Sequence, residues 1–111
     1  MNTHPRYVVL HHTGYGEPHY DLLIDPDGTS PPLSWHLPHW PPRPDDAARP
    51  RPPHRRLYLD YEGDVSGNRG TVKRIAWGTL VIKSRSDTTL RVRFDLAIAL
   101  DLPLPPPGLA T

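Results

Sequence analysis

Near the N-terminus, a group of residues has the types and the spacing of a metal site. His19 and Asp21 are two apart in a segment of strand-forming residues, so their side chains would leave the same face of a strand. His11 and His12 end the preceding predicted strand, and the intervening turn would return one of them beside His19. Two imidazoles and one carboxylate suit Mn²⁺, Zn²⁺ or Fe²⁺ and leave coordination positions for water or substrate. The chain has no cysteine, so any metal must be held by His, Asp or Glu.

Three interpretations of this pattern compete. His-x-Asp is short enough to occur among ordinary surface residues that bind nothing. With His54 as a distant third ligand, it also outlines the facial triad of non-haem iron oxygenases, although those enzymes usually need a larger barrel. The remaining interpretation is metal-assisted phosphoester hydrolysis, in which His54, Tyr58 and nearby arginines donate to phosphate oxygens. The basic loops of the chain favour hydrolysis.

The elements that must position these residues are predicted to be strands. Residues 88–96 alternate apolar and charged side chains, the period of a half-buried strand. Further segments rich in β-branched and aromatic residues, bounded by Gly, Pro and Asp, predict strands at 7–10, 19–24, 33–37, 57–61, 71–77 and 79–84. Many short strands at close spacing predict an all-β fold, a small antiparallel β-barrel with long proline-rich loops and little helix.

Length and composition limit the chain to one modest domain. It has 111 residues, of which 36% are hydrophobic and 16 are proline, which disfavours helix interiors. We expect the barrel domain to span 1–102, with an exposed Pro/Arg-rich loop at 41–53 and a proline-rich tail at 103–111. The net charge is only +1, but the arginines are clustered, so a local positive face is predicted. No apolar stretch reaches membrane-spanning length, and we expect a cytoplasmic protein.

Four segments in order resemble one known family. They are Tyr7-Val8-Val9-Leu10-His11-His12 with His19-Tyr20-Asp21, then Ser34-Trp35-His36-Leu37-Pro38, then His54-Arg55-Arg56-Leu57-Tyr58-Leu59-Asp60-Tyr61-Glu62-Gly63, and finally Gly67-Asn68-Arg69-Gly70-Thr71-Val72. This series resembles the 3′-phosphoesterase domain of bacterial DNA ligase D, in the DNA polymerase/ligase N-terminal domain family. The similarity covers roughly residues 7–96.

The resemblance implies a site and a reaction. It implies that His12, His19 and Asp21 bind a divalent metal, most often Mn²⁺, with Zn²⁺ or Co²⁺ as alternatives. His54 would contact the scissile phosphate, and Tyr58 would shape the same pocket. The implied reaction removes a 3′-ribonucleoside and then a 3′-phosphate from nucleic-acid primer ends. That activity would serve DNA repair by end joining, in a monomer working beside a ligase or polymerase.

The supporting residues and the departures from the family complete the prediction. Arg55 and Arg69 are candidates for phosphate or nucleic-acid binding, and Asp60 and Glu62 for orienting a ligating histidine.

Leu23 stands where the family has a phosphate-binding arginine, and the turn before His19 is one residue longer, which leaves the choice between His11 and His12 open. Losing a charged phosphate donor costs about 2–4 kcal/mol of transition-state stabilisation. The alternative function is therefore a catalytically weak or inactive module that binds nucleic-acid 3′ ends.

Overall fold

The computed structural model describes residues 5–94 and 98–105, and these residues form strands with a single short helix. A one-turn 3-10 helix spans Arg56–Leu59. The strands are β1 Arg6–Thr13, β2 His19–Asp25, β3 Leu33–Leu37, β4 Arg49–Arg51, β5 Gly63–Asp64, β6 Thr71–Arg85, β7 Thr89–Phe94 and β8 Ala99–Pro103.

The strands form one antiparallel sheet that nearly closes into a barrel. Its order is β4-β3-β2-β1-β6-β7-β8, and β5 pairs with β6 beside this path. The two ends of the sheet, β4 and β8, lie against each other. Trp35 on β3 helps to hold them, because its Nε1 donates a hydrogen bond of 2.6 Å to the carbonyl oxygen of Pro103 on β8. The predicted all-β fold is confirmed.

The two faces of the sheet bury two separate groups of side chains. One face packs inside the barrel, where Val9, Leu22, Trp35 and Val92 belong to a core contributed by six strands. The opposite face of β1 and β2 carries a second, smaller cluster. We call it the outer cluster; its buried members are Val8, Leu10, Leu23, Leu59 and Val72. The 3-10 helix packs on the outer face of β2, where Leu59 contacts this cluster. Strand β2 is therefore buried on both of its faces.

Two predicted elements were wrong. Residues 57–61 are not a strand, because the amides of Tyr58 and Asp60 bond back to the carbonyls of Arg55 and Leu57 and close a 3-10 turn. This turn directs Leu59 into the outer cluster. Residues 71–77 and 79–84 are one strand, β6, which runs through Gly78. Its first half pairs with β1 as far as Thr79, and its second half pairs with β7 from Leu80 onward. Gly78 therefore lies next to the point where β6 changes from pairing with β1 to pairing with β7.

Two predicted boundaries also differ. The loop at 41–53 contains the short strand β4, whose arginines flank a proline. The predicted tail begins at Pro103, which is the last residue of β8, and the amide of Leu104 still bonds to the carbonyl of Thr88. Residues 95–96 of the predicted last strand and 106–111 of the predicted tail lie outside the described residues.

Within the described ranges, no helix has the length and apolar character needed to cross a membrane.

Candidate metal centre

Strand register brings the predicted metal ligands together on the outer face of the barrel. In the antiparallel pairing of β1 with β2, His12 lies directly opposite His19. Asp21 is two residues further along β2 and so points to the same side as His19. Its partner across the other edge of β2 is His36 of β3. Asp21 therefore occupies the central strand of three, with imidazoles on both neighbouring strands.

The side chains converge on the Asp21 carboxylate. His19 Nε2 lies 3.1 Å from Asp21 Oδ1, and His12 Nδ1 lies 3.6 Å from Asp21 Oδ2. The ligand atoms of these three residues all lie within 4.8 Å of one another. Asp21 is only 2% exposed. A buried carboxylate in contact with two imidazoles can chelate one cation while keeping a side of that cation open.

Backbone carbonyls fix which nitrogen each histidine turns toward the carboxylate. His12 Nε2 lies 2.6 Å from the carbonyl oxygen of Arg69, and His19 Nδ1 lies 3.1 Å from that of Glu17. A carbonyl can only accept, so both of these nitrogens carry hydrogen. In the neutral rings, His12 Nδ1 and His19 Nε2 are then lone-pair donors facing Asp21. This is the arrangement in which metal-ligating histidines are usually held by their other nitrogen.

A glycine makes the contact to His12 feasible. Gly70 follows Arg69 and adopts φ +78°, and a Cβ at this position would overlap the carbonyl oxygen of Thr13. Only glycine lets the loop approach the end of β1 so closely. The Arg69 carbonyl is thereby placed on the ring of His12.

Buried atoms of the cluster have the character expected of metal ligands. Among the described residues, His19 Nε2 and Asp21 Oδ1 have no hydrogen-bond partner of acceptable geometry, although they lie 3.1 Å apart. The contact between these two atoms is therefore not a hydrogen bond. An unpaired buried carboxylate oxygen is costly, and a cation between these atoms would satisfy both. The residues present fit a divalent metal.

The electrostatics keep the site ready for a cation. Burial alone would raise the pKa of Asp21, but contact with His36 and the nearby imidazole of His19 hold the pKa below its ordinary value. Burial lowers the pKa of His54, and the opposing charge of Asp21 does not restore it. Asp21 is therefore an anion at neutral pH, and His54 is a neutral imidazole.

A cleft of about 1120 Å³ is lined by His12, His19 and Asp21. His54 and Tyr58 line this cleft, with ring centroids 5.9 Å apart and planes nearly perpendicular. The Arg55 guanidinium carbon lies 5.8 Å from the centre of the Tyr58 ring. Arg69 also borders the cleft, and its Nε donates to the carbonyl oxygen of Ser66. The predicted metal, phosphate and pocket residues thus share one concave surface.

Several predictions about individual residues are resolved by this geometry. The ring of His11 stacks on Tyr20 at 4.7 Å on the barrel-core side, so His12 is the histidine that reaches the cluster. Asp60 and Glu62 were predicted to orient a histidine, but their polar contacts within the described residues go elsewhere. Asp60 lies 3.5 Å from Arg6, and Glu62 accepts the backbone amide of Arg74.

Leu23 cannot contact a ligand in the cleft. It is 0% exposed and packs in the outer cluster with Leu10, Leu59 and Val72. Positive charge reaches the cleft from another strand, because Arg49 and Arg51 on β4 both line it.

His36 also lies beside Asp21, although no role was predicted for it from the sequence. Its Nε2 lies 3.1 Å from Asp21 Oδ1. The signal that could have revealed it is its neighbour Trp35, whose burial turns His36 to the outer face. That signal is useful only once β3 is known to pair with β2 in the register that sets His36 opposite Asp21.

No protein-family model matches this chain, and no curated protein matches it either. The functional interpretation of the site therefore depends on its geometry and on the resemblance of its motifs.

Proposed function

We propose that this protein is a metal-dependent phosphoesterase that removes 3′-terminal groups from nucleic-acid ends. The observation that carries the proposal is the convergence of His12, His19 and Asp21 within 4.8 Å in a cleft that arginines border. A metal centre alone would fit many reactions. The arginines at the border of the cleft favour an anionic substrate, and the resemblance to the ligase D domain specifies that anion as a 3′-phosphoester.

Each group in the cleft has a distinct part in this proposal. A divalent cation, held by His12, His19 and Asp21 when bound, supplies charge neutralisation at the phosphate and activation of water. Water contributes the oxygen that bonds to phosphorus, and the bond from phosphorus to the departing oxygen breaks. For a 3′-phosphate the departing oxygen becomes the 3′-hydroxyl, which a ligase or polymerase can then use.

His54 and Tyr58 supply uncharged donors beside the metal cluster. Because burial lowers the pKa of His54, its ring is neutral at neutral pH and can donate one N–H to a phosphate oxygen. The Tyr58 ring packs against His54 and Tyr61, which limits its orientations. Held in place in this way, the two side chains would stabilise charge on the phosphate without reorganising.

Arginines on β4, before the 3-10 helix and after β5 are candidates to supply the positive charge of the family arginine that Leu23 replaces. Arg51 lies opposite Ser34, which in turn lies opposite Leu23, so all three share one face of the sheet. Arg49 lies beside His36 in the same way. Arg55 and Arg69 border the cleft from the other elements. The family's phosphate-binding charge would then be supplied from a neighbouring strand.

The test is a primer-template assay with a labelled strand that ends in a 3′-phosphate or a 3′-ribonucleotide. Reactions contain Mn²⁺ or a chelator, and the wild-type protein is compared with Asp21→Ala and with Asp101→Ala, an exposed carboxylate on β8. We expect loss of the terminal group with Mn²⁺ only, a fall of about 100-fold or more for Asp21→Ala, and no change for Asp101→Ala. Equal turnover by Asp21→Ala and wild type would refute the assignment.

A second candidate, a module that binds 3′ ends without cleaving them, is favoured by the burial of Leu23. On this hypothesis the same oligonucleotides bind, with a preference for a 3′-phosphate, but remain intact. Introducing arginine at position 23 is a poor test, because the charge would enter the apolar outer cluster. Arg51→Ala is the better variant, since Arg51 is exposed and lines the cleft. Its effect on binding of a 3′-phosphate strand, measured by fluorescence anisotropy, reports the phosphate contact under either hypothesis.

A further inference from the structure

We propose that His36 is a fourth protein ligand, so that the metal centre of this chain contains three imidazoles and one carboxylate. The inference rests on the metal centre of the proposed function and goes beyond its three-residue ligand set. It begins from register: β2 lies between β1 and β3, with His12 on one side of Asp21 and His36 on the other.

The distances support direct coordination by His36. Its Nε2 lies 3.1 Å from Asp21 Oδ1, the same separation as that of His19 Nε2 from this oxygen. Two ligand atoms that bind one cation at about 2.0–2.2 Å, with an angle near 90–110°, lie roughly 3–3.5 Å apart. His12, at 3.6 Å from the other carboxylate oxygen, is slightly more distant. Measured from Asp21 Oδ1 alone, His36 Nε2 is placed as well as His19 Nε2 is, while the group within 4.8 Å of one another comprises His12, His19 and Asp21.

The imidazole rings of the three histidines pack together on one face of the sheet. The His19 and His36 ring centroids lie 4.1 Å apart, and the planes are tilted by 32°. The His12 and His19 rings lie 4.9 Å apart. Rings this close together can present their nitrogens to a single cation. The contact of Asp21 with imidazoles from both sides is then explained by a common metal.

His36 also has the freedom that a ligand at the edge of a cleft needs. Its side chain is 32% exposed, compared with 13% for His12 and 19% for His19. It borders the cleft, and it is a member of neither the barrel core nor the outer cluster. Removing the imidazole should therefore leave the barrel intact and change only the metal site.

A third imidazole changes which metal the site prefers. Nitrogen ligands favour Zn²⁺ and Co²⁺, while sites rich in carboxylate and water suit Mn²⁺. Loss of His36 should thus weaken Zn²⁺ binding more than Mn²⁺ binding. A residue that only touched Asp21 from outside the coordination sphere would not produce this difference between the two metals.

The experiment is calorimetric titration of the full chain with Zn²⁺ and with Mn²⁺. The proteins are wild type, Asp21→Ala, His36→Ala, His36→Gln, and the control His11→Ala, whose ring lies on the opposite face. We expect one site per chain, a Zn²⁺ affinity lowered in both His36 variants by more than the about 10- to 100-fold that loss of an outer-shell partner costs, a smaller loss for Mn²⁺, and little change for His11→Ala. The visible spectrum of the Co²⁺-loaded protein should also change on loss of His36, and near-ultraviolet circular dichroism verifies the fold.

The outcomes separate this inference from the proposed function. If wild type binds metal and Asp21→Ala does not, but His36→Ala keeps the wild-type affinities and Co²⁺ spectrum, only the role of His36 is refuted. If the wild-type protein binds none of the three metals, the metal centre itself is refuted, and the proposed function with it. A selective loss of Zn²⁺ affinity in both His36 variants supports four protein ligands.

Discussion

At the scale of single residues, two buried aspartates on β2 differ in how their charge is balanced. Asp25 is 0% exposed and is fully paired, because Arg56 donates to both of its oxygens at 2.8 and 2.9 Å and the Gly28 amide donates to one. Asp21 is nearly as buried, yet one of its oxygens has no hydrogen bond of acceptable geometry within the described residues. Asp25 is therefore a structural residue, whereas Asp21 has an oxygen that could bind a cation.

Asp25→Asn should destabilise the protein at neutral pH. The paired Arg56 guanidinium, opposed in part by burial, lowers the pKa of Asp25 from 3.8 to about 2. Because the folded-state pKa lies below the ordinary value, the stabilisation is fully present above about pH 4 and is lost as the pH falls toward 2. The shift corresponds to about 2 kcal/mol. Denaturant unfolding at several pH values should show a gap between wild type and variant that closes in acid; a constant gap would contradict this origin.

Asp21→Asn should destabilise the protein less than Asp25→Asn does when metal is absent. The pKa of Asp21 is also held below its ordinary value, so its charge favours the folded state, but one of its oxygens lacks a hydrogen bond and no arginine pairs with it as Arg56 does with Asp25. Thermal unfolding in chelator measures this, with Asp25→Asn as the matched control on the same strand. Added metal should stabilise wild type only. A large destabilisation by Asp21→Asn in chelator would show that Asp21 is a structural residue.

At the scale of elements, the 3-10 helix joins the outer cluster to the cleft. Leu59 is buried against Leu23, while Tyr58, one residue earlier, borders the cleft beside His54. Arg56 anchors the start of the same turn on Asp25. Packing beneath the helix thus determines where Tyr58 stands.

Leu59→Ala should both destabilise the protein and disturb the cleft. A cavity in the outer cluster should cost about 2–4 kcal/mol. Leu57→Ala is the matched control, since Leu57 lies in the same turn but is 51% exposed and should cost less than about 0.5 kcal/mol. Urea unfolding measures both values, and turnover of a 3′-phosphate strand should fall for Leu59→Ala alone. Equal effects of the two substitutions would contradict the role given to the outer cluster.

The same elements mark how far the sequence could be interpreted. The alternation of Leu90, Val92 and Phe94 with charged residues predicted β7, and His-x-Asp predicted two side chains on one face of β2. The 3-10 helix was missed because Leu57 and Leu59 also fit a strand period. His36 was missed because its role depends on pairing between strands, which no local pattern encodes.

At the scale of the whole molecule, charge is distributed unevenly despite the net charge of +1. Arg49, Arg51, Arg55 and Arg69 all border the cleft, while the exposed Arg91 on β7 is paired with Asp101. Carboxylates line the cleft as well, namely those of Glu17, Asp21, Asp45 and Asp46, so the positive face that the clustered arginines predict stays a prediction. The arginines along β4 should attract the phosphates of a strand end even though the molecule as a whole is close to neutral.

Binding of a single strand should weaken with salt in proportion to the phosphates contacted. Each phosphate neutralised contributes about −0.7 to the slope of log affinity against log salt concentration. The double variant Arg49→Ala/Arg51→Ala should reduce the magnitude of the slope by about 1.4, and Arg93→Ala, an exposed arginine on β7, should leave it unchanged. Fluorescence anisotropy across a salt series measures the slopes. An unchanged slope for the double variant would show that the strand end does not bind along β4.

The most direct test of the metal centre is anomalous X-ray diffraction from crystals of the wild-type protein grown with Mn²⁺. We predict one strong anomalous peak on the outer face of the barrel, marking a Mn²⁺ ion at bonding distance from His12, His19 and Asp21. His36 should lie in the same coordination sphere. A peak located elsewhere, or no peak beside the Asp21 carboxylate, would contradict the central claim that these side chains form a metal centre.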